Sequence, residues 1–170
     1  MKDYFSLIRD RQSCRDYADR PIEKEILFKC VEAAGLAPSA RNCQPWRFTI
    51  VNRPDLCKRI AACAQEEGFN QFTDYCPAFI VVQPEIGSAA AEKWHRFDLG
   101  LAVMQLCLAA EDLGAATCIM GSIGEEHLVK TLGLSPDAPP VVVVAIGYAA
   151  TPEHRPKIRK QAGDYVTYLG

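Results

Sequence analysis

Several familiar signatures are missing from this sequence. No G-x-G-x-x-G and no Walker pattern occurs, which removes the usual signals of a dinucleotide-binding βαβ unit and of a P-loop. No G-x-S-x-G and no local Cys–His signature points to nucleophilic catalysis. Charge of one sign is not in excess: 19 Lys and Arg face 21 Asp and Glu, for a net charge of −2. Any anion must therefore be held by a local cluster, and nucleic acid is not an expected partner. No apolar run reaches about 18 residues. The most apolar stretch, 99–110, is interrupted by Gln105 and followed by Glu111 and Asp112. No membrane span is expected, and the opening MKDYFSLIRDRQ has no apolar leader core. The three histidines, His95, His127 and His154, have no ligand spacing, so no metal site is expected.

Cysteine is abundant: eight occur in 170 residues, at 14, 30, 43, 57, 63, 76, 107 and 118. No two are spaced C-x-x-C, which argues against zinc ribbons, iron–sulfur clusters and thioredoxin-type motifs. A disulfide framework does not suit a chain this long and 49% hydrophobic. The expectation is a reduced, cytoplasmic protein forming a single domain over 1–170.

The patterning is that of an α+β fold. Short helices are expected over 3–10 and from Glu23 to Ala34, with Gly35 as a stop. A strand follows at 47–51, then a helix opened by Pro54, and a buried strand at 79–82. Ser88 is a candidate cap for a long helix reaching Leu113, with Gly114 at its end. Its second half is apolar on nearly every face, which predicts burial on all sides, more than one small domain supplies. A strand at 115–120, a helix at 125–132 and a strand at 141–146 complete about four strands in a mixed or antiparallel sheet flanked by helices in three layers. A polar tail ends in an apolar tip at 165–169.

Two segments draw attention chemically. If 11–15 is extended, Arg11, Ser13 and Arg15 share one face in a row of about 13 Å, suited to a ligand with an anionic end. A solvated linker would carry the same residues. The loop 38–46 brackets hydrogen-bonding side chains between two prolines, a path that leaves backbone groups free for a ligand. A plain surface connection is the other reading.

Together, RDRQSCRDY at 9–17 and APSARNCQPWRF at 37–48 resemble the flavin-dependent nitroreductase family, whose members open with R-x-S-x-R and continue with P-S-x-x-N-x-Q-P-W. NQFTDYCPAFIVV at 70–82, DLGLAVMQLCLAAEDLGAATCIMGSI at 98–123 and PVVVVAIGYA at 140–149 extend the resemblance over nearly the whole chain. It implies a nitroreductase-like homodimer built on the long helix, with a domain-swapped C-terminal tail whose 165–169 tip joins the partner's sheet edge. It also implies FMN at the subunit interface. Arg11, Gln12 and Ser13, with Arg159 and Lys160, would hold the phosphate end, and Arg15 would support the reduced ring electrostatically. Pro38, Ser39 and Ala40 would come from the other subunit, with Asn42 close by. Asn70 would meet the pyrimidine edge, and backbone at Ile119, Met120 and Gly121 would approach the ring. The implied activity is two-electron transfer from NAD(P)H to a small acceptor such as a nitroaromatic or quinone, with the chemistry carried by the flavin. A non-catalytic flavin-binding protein, a ferredoxin-type donor, reductive dehalogenation and flavin fragmentation are the alternatives.

Overall fold

The computed structural model describes residues 3–151 and 154–170; residues 1, 2, 152 and 153, the last two within the expected tail, lie outside it. In chain order the elements are α1 (Tyr4–Asp10), α2 (Lys24–Gly35), β1 (Trp46–Val51), α3 (Pro54–Gln65), β2 (Ala78–Pro84), α4 (Ala89–Asp112), β3 (Ala116–Met120), α5 (Glu125–Leu132) and β4 (Val142–Gly147). Short 3₁₀ turns cover Ala40–Asn42, Gln71–Tyr75 and Ala162–Asp164.

The four strands lie in the order β1-β2-β4-β3, and every neighbouring pair is antiparallel, which settles the expected "mixed or antiparallel" sheet as antiparallel. Its two-residue period sorts the side chains into two cores. Phe79, Val81, Val143, Ala145, Cys118 and Met120 pack beneath α3 and α5. Ala78, Ile80, Val82, Val144 and Ile146 pack beneath α2 and α4. The result is helix, sheet, helix in three layers. β2 is buried along its whole length, as a central strand covered on both faces must be.

α4 starts where Ser88 accepts a hydrogen bond from the Ala91 amide at 3.2 Å. It stops before Gly114, whose φ of +77° favours glycine. Leu99, Ala102, Leu106, Cys107 and Ala110 are buried, but Leu101, Met104 and Leu108 are only half-buried and Gly100 is exposed. All-round burial is therefore not achieved within one chain. The sheet and α2 cover one side of the helix, and α1 and the Ala40–Asn42 turn touch it as well, but together they leave Leu101, Met104 and Leu108 partly open. Residues 165–169 form no strand in this chain, and Tyr165, Tyr168 and Leu169 are exposed. No described helix is long and apolar enough to cross a membrane.

Candidate functional site

Residues 11–18 run extended from the edge of β3 to the exit of β4. The Cys14 amide donates to Thr117 O at 2.9 Å, making a parallel bridge of Ser13 with Thr117. The Ala18 amide donates to Tyr148 O at 2.9 Å, and Ala150 N donates to Asp16 O at 3.0 Å. Cys14 and Tyr17 turn inward, and the Tyr17 hydroxyl donates to Ala145 O at 3.1 Å. The opposite side of the segment puts Arg11, Gln12, Ser13 and Arg15 on the wall of a cavity of about 340 Å³. All three residues of the expected row reach this wall, but Gln12 reaches it too, so the alternation is not strict.

The facing wall comes from the C-terminal segment, 155–159. Arg155 donates from its backbone amide to Gln12 Oε1 at 3.1 Å and from Nη2 to Ser13 O at 2.6 Å. Lys157 Nζ donates to Ile8 O at 2.9 Å, near the C-terminal end of α1. Arg159 lines the cavity as expected, whereas Lys160 is exposed and is not on its wall. Sequence reasoning missed Arg155 and Lys157. The signal was there: Arg155, Lys157 and Arg159 alternate, and Pro156 rules out a helix. Two extended segments thus face each other with cations at period two. Lys157 has its pKa pushed below the ordinary lysine value, first by partial burial and then by repulsion from Arg11 and Arg159. Like charges crowded in this way are relieved by a bound anion.

A second cavity of about 490 Å³ adjoins the first, sharing Gln12, Ser13, Arg15 and Arg155 with it and reaching toward Glu111, Asp112, Gly114 and His154. Ligand atoms of Asp10, Glu111 and His154 come within 4.8 Å of one another there. Unexpected as that proximity is from the sequence, an acidic cluster of this kind does not define a metal site by itself.

The far end of β3 holds the next group. Because Thr117 turns its carbonyl outward to Cys14, alternation turns the backbone groups of Ile119 and Gly121 outward too, and those of Met120 inward to Val143. The outward donors past the Ser13 bridge therefore belong to Ile119 and Gly121, and the Met120 side chain is buried in the core. A Cβ on Gly121 would meet nothing within 4 Å, so packing does not require glycine there. Gly124 differs, since a Cβ would fall 3.2 Å from Cys63 O and against the Glu66 carboxylate. Asn70, at φ 57°, spends its amide donor on Ser122 O at 2.7 Å and Ala64 O at 3.1 Å, which pins the 121–124 loop to the end of α3. From Thr117 to Gly121 the strand edge measures about 13 Å.

The 38–46 loop sits elsewhere. Arg41, Asn42 and Gln44 all adopt left-handed φ, at 52°, 55° and 47°, a strain of about 1–3 kcal/mol each. Ser39 Oγ accepts from Gln44 N at 2.9 Å, Asn42 Oδ1 accepts from Gln44 Nε2 at 3.2 Å, and Asp98 Oδ2 accepts from Ala40 N at 3.1 Å. Pro38 and Asn42 are exposed, while Ser39 and Ala40 are half-buried. Asp98 lies in the first half of α4, and the cationic end of the site borders its last residues, so along the helix the two are separated by about 20 Å. One chain does not bring Pro38, Ser39, Ala40 and Asn42 to Arg11 and Ser13.

The nitroreductase family profile matches residues 8–148. An Archaeoglobus fulgidus protein, provisionally named NADH dehydrogenase/NAD(P)H nitroreductase, is 32% identical over 87% of this chain and 86% of its own. A crystal structure of a Parabacteroides distasonis protein with the same provisional name is 28% identical, covers 100% of this chain and 99% of its own, and superposes with a TM-score of 0.86. An Exiguobacterium sibiricum nitroreductase-like protein solved in complex with FMN is 24% identical, with a TM-score of 0.87 over 99% of this chain and 98% of its own. The antiparallel sheet between two helical layers is thus a nitroreductase-like fold. The chain belongs to the nitroreductase family.

Proposed function

We propose that the protein is an FMN-dependent oxidoreductase that moves two electrons from NAD(P)H to a small acceptor such as a nitroaromatic or quinone. The observation that carries this reading is the cluster of Arg11, Arg15, Arg155, Lys157 and Arg159 around one cavity at the edge of β3. A phosphomonoester brings nearly two negative charges and three acceptor oxygens, which fits crowded donors better than any neutral ligand. A relative of the same fold holds FMN. Bound FMN would supply reversible two-electron chemistry between a nicotinamide and an acceptor.

The chain's own part is binding and electrostatics. Arg11, Lys157 and Arg159 neutralise the phosphate, while Arg155 and Gln12 fasten the two walls together. The Arg15 guanidinium would stabilise negative charge on a flavin ring bound beside it. The outward amides of Ile119 and Gly121 are donors for the ring edge, and Asn70 fixes the loop that carries them.

The separation of the 38–42 loop from the cation row supports a homodimer. A second copy packed with its α4 antiparallel sets the Asp98 half of one helix beside the Glu111 half of the other. That arrangement covers Leu101, Met104 and Leu108. It also offers an edge for the exposed 165–169 tip.

The test is direct. Purified protein is expected to be yellow, to release FMN, and to oxidise NADH or NADPH with menadione or nitrofurazone in ping-pong fashion. Protein that FMN fails to reconstitute overturns the cofactor. Bound FMN that no nicotinamide reduces overturns the donor.

A further inference from the structure

One buried charge has no part in the scheme above. Asp98, 2% exposed on α4, is a carboxylate within the core layer between that helix and the 38–46 loop. Its Oδ2 accepts the Ala40 amide at 3.1 Å, at the first residue of the turn that contains left-handed Arg41 and Asn42. A buried carboxylate is costly to leave without its donor. Any motion that lifts Ala40 away strands that charge. Most other bonds of the loop are internal to it: Asn42 N to Ser39 O at 3.0 Å, Cys43 N to Ala40 O at 3.1 Å, and the Ser39 and Asn42 bonds to Gln44; Cys43 Sγ also lies 3.3 Å from Ser88 Oγ at the start of α4. The internal bonds give the loop a shape; a weak thiol–hydroxyl contact and the Ala40–Asp98 bond tie it to α4, and the latter is the one made to a buried carboxylate.

We propose that Asp98 is a positioning residue: its carboxylate latches the strained 39–44 loop to α4 through the Ala40 amide, holding it preformed for the flavin. The strained dihedrals persist because relaxing them costs the latch. Preformed loops bind more tightly because less ordering remains to be done on binding. For its effect on affinity the proposal rests on the FMN reading; for its effect on the loop it does not.

The experiment compares wild type, Asp98→Asn and Asp98→Ala by hydrogen exchange of the 39–44 amides without flavin, and by FMN titration, with circular dichroism to establish folding. In Asp98→Ala the hydrogen-bonded amides of Ala40, Asn42, Cys43 and Gln44 should exchange at least about tenfold faster while the β2 amides stay protected, and FMN should bind about 10- to 100-fold more weakly. Asp98→Asn keeps an oxygen acceptor without the charge. It should fall between, with exchange faster by about threefold and much of the affinity recovered. Folded Asp98→Ala with unchanged 39–44 exchange overturns the latch. Should Asp98→Ala not fold, Asp98→Asn decides: exchange identical to wild type overturns the proposal, and acceleration confined to 39–44 supports it. Wild-type protein that takes up no FMN refutes the flavin reading instead, and the exchange data still judge Asp98.

Discussion

At the scale of single residues, Arg11 and Lys157 separate two kinds of electrostatics. Arg11→Ala removes a guanidinium donor from the cluster and is expected to weaken FMN by about 1.5–3 kcal/mol, or roughly 10- to 100-fold, in a fluorescence titration. Lys157 titrates. Its folded pKa lies below the ordinary 10.5, so between the two values the unfolded chain binds more protons and stability rises with pH. A phosphate on the cluster reverses the sign: it favours the charged lysine, so binding takes up a proton. FMN affinity should accordingly fall as pH approaches 10.5, and Lys157→Met should flatten that dependence. Two glycines make a further contrast. Gly121→Ala meets open space, so the apoprotein should melt unchanged while FMN binds less well. Gly147→Ala drives a Cβ to 2.7 Å from the Pro77 ring and 3.0 Å from the Tyr17 ring. It should cost about 1–3 kcal/mol in a denaturant titration, with no special effect on flavin once folded.

The scale of elements shows which features were readable in the sequence. Ser88, Gly114 and Pro54 mark helix ends by local chemistry, and the helices they delimit lie where patterning placed them. The 125–132 helix coincides with its expectation. The extended 11–15 row was readable because period two is local. Arg155, Lys157 and Asp98 were not, since each acts on a partner 58 or more residues away. The inward amide of Asn70 was hidden for the same reason. The cysteines read as composition alone became placements: seven are buried and Cys43 is half-buried. Burial pushes Cys30 and Cys76 up to about 12 and Cys57 to about 11. A buried neutral thiol is a poor nucleophile, so an aromatic disulfide reagent near neutral pH should find about one fast thiol per native chain and eight after denaturation.

For the whole molecule, the half-covered α4 and the split of the candidate site between its two ends lead to one expectation. Sedimentation at micromolar concentration should show a dimer, and Leu108→Glu should yield monomers that bind FMN poorly. Strand order carries a different consequence, for biosynthesis. β4, the fourth of the described strands in chain order, belongs between β2 and β3. Until residue 147 has emerged, β2 has a bare apolar edge and β3 has no neighbour in the sheet. The sheet therefore cannot be assembled strand by strand in chain order; it closes when β4 inserts between two strands made before it. The 155–157 strap emerges later still, so the cavity acquires its second wall only then. A nascent chain halted near residue 140 should be protease-sensitive, chaperone-dependent and unable to retain flavin, because its longest-range contacts form last.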